Sequence, residues 1–466
     1  MRAKAIPSAW LERDGRRLDC GPYMSGALEA KVLLERLKVR KDALKGVTAN
    51  GIAGIFNGPR FARAYVDDPA HGVPFLGSVD ILNADLTNLE LLSRKQVDAN
   101  PRLVVRAQWT LITCSGTIGR MAYARPDMDG MAGSQHFMRV VPDPEKILPG
   151  YLYAYMSSRF GVPIVVGGTY GAIIQHIEPG HIANLPVPRL GDRVEQRAHE
   201  LVSRAATARS KAIELLAKAQ LKLIESLSLP VAKPHRLYES PYVSDCSPSQ
   251  FAKRGDAFYY APVNMDARGA FDGTRAKITT VGEIADVFIP GIFKRQYASD
   301  PAYGVPYITG ADVFQLAPTT QQFLLKRVAH DVGLVLRKDM IVIQEAGQLG
   351  GLIGRAVLVG AHLDGYACSN NMVRVTAKDK VDTGYLFAVL SSTYGVRLVS
   401  REAAGSSIPH LEAGRVRGIS IPWPDKDIRV GIGAQVVEAH RLRDEAVSAD
   451  REAHALVEDA IESGAN

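Results

Sequence analysis

The chain is written twice. Residues 150–158 read GYLYAYMSS and residues 384–392 read GYLFAVLSS, half a chain length apart in a protein of 466 residues. Other strings keep nearly the same spacing and the same order. RRLDCGPY (16–23) matches KRGDAFYY (253–260), AGIFNGPR (53–60) matches PGIFKRQY (290–297), and GVPFLGSVD (72–80) matches GVPYITGAD (304–312). TIGR (117–120) then matches LIGR (352–355), SQHFMRVV (134–141) matches SNNMVRVT (369–376), and GAIIQHIEPG (171–180) matches GSSIPHLEAG (405–414). Solenoids repeat every roughly 20 to 50 residues, so a period this long marks a duplicated domain.

Two segments differ from the rest. From Asp192 to Leu227 there is no Gly or Pro, and Val194, Ala198, Leu201, Ala205, Ala208, Ala212, Leu215, Ala219 and Leu223 recur at helical steps of four and three. From Asp427 to Ser463 the spacing returns as Ile432, Val436, Ala439, Ala446, Ala453, Val457 and Ala460, with Arg443 and Asp450 breaking the stripe. Alanine-rich seams let two backbones approach closely, so the two helices are expected to pair as an antiparallel coiled coil, in a pseudo-twofold arrangement of the halves. The alternative is that each helix packs on its own lobe. At 1.5 Å per residue, a helix of about 36 residues is on the order of 54 Å long.

The expected fold class is α+β (mixed): two homologous domains, 1–190 and 231–425, separated by helical spacers at 191–230 and 426–466. Runs such as WTLITC (109–114), HFMRVV (136–141), MIVIQ (340–344) and AVLVG (356–360) read as strands, punctuated by Gly and Pro. GYLYAYMSS and GYLFAVLSS read as one helix per half. LPVPRL (185–190) and ISIPWP (419–424) are Pro-punctuated exits into the long helices, and Leu229-Pro230 closes the first of these.

With 46% hydrophobic and 23% charged residues, each half can bury a core. Four widely spaced cysteines without a CxxC suit a reduced, cytoplasmic chain, and no apolar run suits a membrane span. Catalytic signatures are missing: there is no GxxxxGK[ST], no GxGxxG, no HExxH, no GxSxG and no NPPY or DPPY. His176, Glu178 and His181 have metal-ligand chemistry, but the second half offers His410 and Glu412 with Arg415 in place of the other histidine. The expectation is therefore no metal site and no catalytic residue in this chain.

Two copies of one lobe at a fixed separation suit a long partner with its own twofold symmetry, and double-stranded DNA is the candidate. The net charge of +7 is compatible with it. Framework strings repeat while polar loop residues diverge: Asn57-Gly58-Pro59-Arg60 against Lys294-Arg295-Gln296-Tyr297, and Gln135-His136 against Asn370-Asn371. Arg and Lys bond guanine or phosphate, and Gln and Asn pair with adenine, so divergent loops imply two different sequences read in one docking mode. The candidate DNA-binding residues are Asn57, Arg60, Arg63, Arg120, Gln135, His136 and Tyr170 in the first half. In the second they are Lys294, Arg295, Gln296, Arg355, Asn370, Asn371, Ser406 and Ser407.

The ordered set RLDCGPY/RGDAFYY, GVPFLGSVD/GVPYITGAD, SGTIGR (115–120), GYLYAYMSS/GYLFAVLSS and the IxHIxxGHIxxLPVP exit (174–188) resembles the specificity subunit of type I restriction-modification enzymes over essentially the whole chain. The resemblance implies two target-recognition domains that read the halves of a bipartite, asymmetric DNA site. It also implies that the helical spacers dock two methyltransferase subunits, and that a restriction or translocase subunit joins them. S-adenosylmethionine, ATP and Mg would belong to those partners, with no cofactor in this chain. The string AGQLGGLIGR (346–355) lacks the Ser-Gly of SGTIGR, so the second loop is expected to differ in shape. Two rival readings are a free-standing DNA-binding protein of a phage-defence or regulatory system, and an enzyme with its site between the halves.

Overall fold

The computed structural model describes residues 4–13, 21–87, 89–116, 118–167, 176–232, 243, 245–252, 254–405 and 407–465. The chain divides into two compact units, Met1–Ser210 with Glu445–Asn466 and Lys211–Asp444. Each is a mixed helix-and-strand lobe. Among the described residues no helix is long and apolar enough to cross a membrane.

Among the described residues the first unit holds ten short strands: β1 (Lys41–Ala43), β2 (Ile55–Asn57), β3 (Tyr65–Val66), β4 (Gly72–Leu76), β5 (Leu91–Ser93), β6 (Thr110–Thr113), β7 (Met121–Tyr123), β8 (Ala132–Gly133), β9 (Phe137–Val140) and β10 (Pro186–Pro188). They form two four-stranded sheets, β2-β9-β6-β7 and β3-β5-β4-β8, and a ribbon of β1 with β10. Three helices matter to the packing: α1 (Ala27–Arg36), α2 (Pro149–Met156) and α3 (Gly161–Gly167).

The second unit repeats the plan with β11 (Lys277–Thr280), β12 (Ala285–Phe288), β13 (Gly304–Ile308), β14 (Phe323–Leu325), β15 (Ile341–Gln344), β16 (Ala356–Leu358), β17 (Ala367–Cys368), β18 (Met372–Ala377) and β19 (Ser420–Trp423). Its sheets are β12-β18-β15-β16 and β14-β13-β17, with a β11–β19 ribbon. A single bridge, Tyr297 to Leu324, stands where β3 pairs Tyr65 with Leu92. The parallel pairs also match, with Phe75 opposite Ala132 in one unit and Tyr307 opposite Ala367 in the other. The small cores correspond residue by residue. Val73, Phe75, Leu92, Val97, Leu103 and Ala132 cluster in the first unit, and Val305, Tyr307, Leu324, Ala329, Leu334 and Ala367 in the second.

The repeated Gly-Tyr-Leu triplet has a packing cause. It opens α2 and its counterpart in the second unit, whose helices include α4 (Pro262–Asp272), α5 (Thr383–Ser391) and α6 (Thr393–Ser400). A Cβ on Gly150 would stand 2.9 Å from the His199 Cα, and one on Gly384 would stand 2.5 Å from the Gly433 carbonyl oxygen. Glycine therefore lets α2 and α5 lie directly against a long helix. The next residue ties down the exit ribbon: the Tyr151 hydroxyl donates to the Pro188 carbonyl, and Tyr385 donates to Pro422 at 2.7 Å. Leu152 and Leu386 are fully buried.

The long helices run Asp192–Leu227 and Lys426–Ala465, close to the bounds read from the sequence. The first ends in a Schellman turn. Ser228 takes a φ of 51°, with Ser228 N–H bonded to the Glu225 carbonyl and Leu229 N–H to that of Ile224. Within the first unit Ala198, Leu201, Ala205 and Ala208 are buried, as are Ala446 and Ala453, while Val194 is half-buried. In that unit Arg209 pairs with Asp450 at 2.6 Å, Arg204 with Glu452 at 4.0 Å and Arg197 with Glu452 at 2.6 Å. Within the second unit Ala212, Ala219, Val436 and Ala439 are buried and Leu215 is half-buried. Ala219, Leu223, Ile432 and Val436 there share one core cluster. Asp450 therefore does not interrupt the stripe as its charge suggests; with Arg209 as counterion it is buried in it.

Alanine normally improves on glycine inside a helix. Gly384→Ala should instead lower the denaturation midpoint, costing about 2 kcal/mol or more, because the new methyl meets backbone. Gly269→Ala, in α4 with open space around its Cα, should raise it by about 0.5–1 kcal/mol. Two midpoints moving the same way would refute this packing account.

His440 is buried against Phe387, ring centroids 5.2 Å apart, and its Nε2 has no hydrogen-bond partner among the described residues. Burial holds it well below the ordinary imidazole value; Arg443 and His362 push the same way and Asp444 opposes. The unfolded chain then binds this proton first, so stability complete above about pH 6.5 is lost as the pH falls. Replacing His440 with Leu should flatten that loss, and a stability-against-pH curve with unchanged slope would refute it.

Candidate nucleic-acid interface

Each unit carries a tight polar turn between a short parallel strand and a buried antiparallel one, and each turn sits on a buried arginine. In the first unit the turn is Ser134–His136, between β8 and β9. Arg139 on β9 is fully buried. Its guanidinium donates to the carbonyls of Ser134 and Phe137 at 2.8 Å each, of Gly133 at 2.7 Å and of Leu103 at 3.4 Å. In the second unit the turn is Ser369–Asn371, between β17 and β18. There the equally buried Arg374 donates to the carbonyls of Met372 at 2.8 Å, Ser369 at 3.1 Å and Cys368 at 3.3 Å.

The sheet register confirms the equivalence, since Phe56 faces Arg139 and Phe288 faces Arg374. The turns share a second device. Ser134 Oγ accepts from His136 N–H and Ser369 Oγ accepts from Asn371 N–H, each at 3.2 Å. Burial pulls Arg139 down to about 10 and lowers Arg374 as well. The groups that act on their charge include cysteine and arginine but no carboxylate. Both remain cations at neutral pH, held by carbonyl dipoles.

Several candidate residues gather above the first turn. Arg63 lies over the Phe75 ring at 4.8 Å and donates to Gln135 Oε1 at 3.1 Å. His136 contacts Gln135 Nε2 at 3.1 Å through Nε2 and Ser115 Oγ at 2.7 Å through Nδ1. Burial lowers its pKa, and the charges of Arg63, Arg60 and His176 add to the shift. Asn57 ends β2, its Oδ1 3.9 Å from the Cys114 sulfur. Burial pushes the Cys114 thiol up to about 11, with Glu178 adding to it.

In the second unit Lys294, Arg295 and Gln296 are exposed in the run that follows β12, and Arg295 lies over the Tyr307 ring at 5.8 Å. Asn370 is half-buried and Asn371 exposed on the turn. The Asn371 carbonyl accepts from Glu345 N–H at 3.1 Å, and Glu345 Oε1 contacts His410 Nδ1 at 2.9 Å. Ser407 is exposed at the tip of the loop closed by the Ala404–His410 bridge. Tyr170 and Ser406 lie outside the described residues.

Arg120 and Arg355 occupy matching places, half-buried after Gly119 and Gly354 at φ 80° and 81°. A Cβ on either glycine would meet α3 or α6 at Val166 or Ser400. The Arg120 carbonyl bonds Thr113 N–H and the Arg355 carbonyl bonds Gln344 N–H. The connection from Gln344 to Arg355 is longer than that from Thr113 to Arg120, the difference in shape expected of AGQLGGLIGR.

One sequence alignment is corrected. The Gly-Ile-Phe strings invite matching Asn57–Arg60 with Lys294–Tyr297, but the first string runs into β2, whereas Gly291-Ile292-Phe293 follows β12 with Ile292 97% exposed. With Tyr65 opposite Leu92 and Tyr297 opposite Leu324, each in its own unit, Arg63-Ala64-Tyr65 and Arg295-Gln296-Tyr297 are the counterparts. Tyr65 meets Phe75 edge-on at 6.1 Å and Tyr297 meets Tyr307 at 6.3 Å. Sequence reasoning also missed Ser115, Glu345, Arg139 and Arg374. The available signal was an arginine kept at one place in two otherwise apolar strands, HFMRVV and NMVRVT. Among the described residues no three His, Cys, Asp or Glu side chains are grouped to hold a metal. His181 Nδ1 instead accepts from the Glu178 N–H at 3.2 Å.

No family model matches the chain, and no curated protein matches it in sequence. Solved structures do. The S subunit of a type I restriction-modification system from M. genitalium is 12% identical with a TM-score of 0.35, over 92% of this chain and 96% of that one. The HsdS subunit from Thermoanaerobacter tengcongensis is 13% identical with a TM-score of 0.27, over 91% and 97%. A chain from a structure describing complex assembly and conformational transition of the type I R-M system is 14% identical with a TM-score of 0.28, over 91% and 98%.

Removing either guanidinium takes from several buried carbonyls the donor they bond. Arg139→Met and Arg374→Met should each destabilise the chain by about 3 kcal/mol or more, and Lys at either place should recover only part, having one compact donor head for several carbonyls. Denaturant midpoints within about 0.5 kcal/mol of wild type would show that the turns do not depend on them.

Proposed function

We propose that the chain is a DNA-specificity subunit of the type I restriction-modification kind, each unit reading one half of a bipartite, asymmetric duplex site. The observation that carries the reading is the duplicated turn: one buried cation and one backbone geometry beneath Gln135-His136 in one unit and Asn370-Asn371 in the other. A common frame with different amide, imidazole and guanidinium groups on top suits two base sequences approached in one way. Arg60, Arg63, Lys294 and Arg295 supply exposed positive charge for phosphates, so affinity should fall steeply with salt.

In this reading the chain contributes no catalytic group. Two methyltransferase subunits dock on the long helices and flip the target base, and a restriction or translocase subunit completes the assembly. S-adenosylmethionine, ATP and Mg are bound by those partners, in the cytoplasm.

Methylome sequencing of cells with and without the gene tests the proposal, and one bipartite methylated motif should vanish with it. Among point variants, Lys294→Ala with Arg295→Ala and Gln296→Ala should erase discrimination in one half of the motif. Arg63→Ala with Gln135→Ala should erase it in the other, each by about 1–3 kcal/mol per lost base contact. Equal loss in both halves from either variant would overturn modular reading. A chain that selects DNA yet co-purifies with no methyltransferase would be a stand-alone reader instead.

A further inference from the structure

The contacts around His136 form a chain with one direction. Arg63 has only donors, so the Gln135 atom it meets at 3.1 Å is the amide oxygen, which turns Gln135 Nε2 toward His136. An amide nitrogen only donates. His136 Nε2, 3.1 Å away, must then be the acceptor, and the ring proton sits on Nδ1, donated to Ser115 Oγ at 2.7 Å. The order is Arg63 to Gln135 to His136 to Ser115, and it holds only for a neutral imidazole.

The groups facing this ring come from three segments. Arg60 and Arg63 precede β3, and His176 precedes the His181 turn; all three disfavour a second proton, as does burial. The Cys114 thiol at the end of β6, whose N–H bonds the His136 carbonyl, stays uncharged at neutral pH. Protonation would put an N–H against the Gln135 amide N–H. The amide must then turn over and lose Arg63, or the ring must leave.

We infer that His136 is a positioning residue rather than a base contact: its neutral ring fixes the donor-acceptor order of the Gln135 amide, making first-unit DNA reading proton-gated while the second unit's is not. A glutamine reads adenine with both amide atoms, so an inverted amide reads a different edge. The second unit is the internal control at these places, because Asn370 and Asn371 occupy them and neither titrates; the histidine at its flank, His410, contacts the Glu345 carboxylate. The inference rests on the proposed DNA reading, but the relay itself can be examined without DNA.

Two measurements on the full chain separate the two claims. In histidine-15N NMR at about pH 7.5, His136 should be the Nδ1–H tautomer and should protonate below the ordinary imidazole value, and Gln135→Ala should mix the tautomers. An Nε2–H ring in the wild type overturns the relay. In selection from a randomised duplex library, the half-site preference lost in Gln135→Ala marks the first unit's half. Between about pH 7.5 and 5.5 that preference should fall about tenfold while the other half keeps its own, and His136→Asn, whose side chain cannot titrate, should lose the pH dependence. Equal persistence of both halves at acid pH overturns the gate and leaves DNA reading standing. No enrichment at either pH overturns DNA reading, with the relay still judged by the tautomer.

Discussion

A buried guanidinium with no carboxylate among the described groups that act on its charge is the constraint on which each unit's candidate face depends. Burying a cation is costly unless its donors are met, and in both units the two terminal guanidinium nitrogens are met by backbone carbonyls in and around the turn that follows a short parallel strand, while Nε has no partner among the described residues. The dependence runs both ways: Gly133, Ser134, Cys368 and Ser369 are buried, so their carbonyls rely on the arginine as it relies on them. The turn is thus pinned from below by its backbone, leaving the identities of the residues above it free. Gly133 shows how close the fit is in the first unit, since a Cβ there would stand 2.5 Å from the Arg139 guanidinium. A charge fixed under the turn also adds to the field felt by a phosphate, and salt screens a buried charge less than a surface one.

Much of the architecture was legible in the sequence because duplication turns single motifs into pairs. The first long helix was bounded correctly by the lack of Gly and Pro from 192 to 227, and Gly-Tyr-Leu marked the buried helix in each half. What failed was register. Three identical letters, Gly-Ile-Phe, outweighed a period-2 ladder that a linear string does not display, so Arg63 and Arg295 were not recognised as counterparts. Burial of charge was also illegible. Asp450 looks like a break in a helical stripe until Arg209 is seen beside it, and Arg139 looks like an outward residue of a half-buried strand until its face proves closed.

The candidate site was legible in kind and not in connection. Gln135, His136, Asn370 and Asn371 were found because they diverge between matching frames. Nothing in the sequence joined Arg63 to Gln135, because that contact depends on β3 lying beside β5 and on the Phe75 ring beneath the arginine. Ser115 and Glu345 come from hairpin tips whose lengths differ between the units, where alignment is weakest.

Elsewhere too the units keep geometry and exchange chemistry. In the first, Ser210 on a long helix meets the turn carboxylate of Asp127 at 2.5 Å; in the second, Asp444 at the matching place accepts from the His362 ring at 2.6 Å and from the N–H groups of Ala361 and His362. The joint survives because either partner can carry the acceptor. The two candidate faces are not symmetric in this way. The first holds its glutamine between a charged donor and a ring, so the amide is ordered before any ligand arrives, and binding need not supply that order. The second presents two asparagines beside an arginine resting on Tyr307, with Glu345 and His410 paired at the flank. If the units read DNA as proposed, one frame carries a pre-organised reader and a more adaptable one, a difference in the entropy of binding that arises from what stands on the turn.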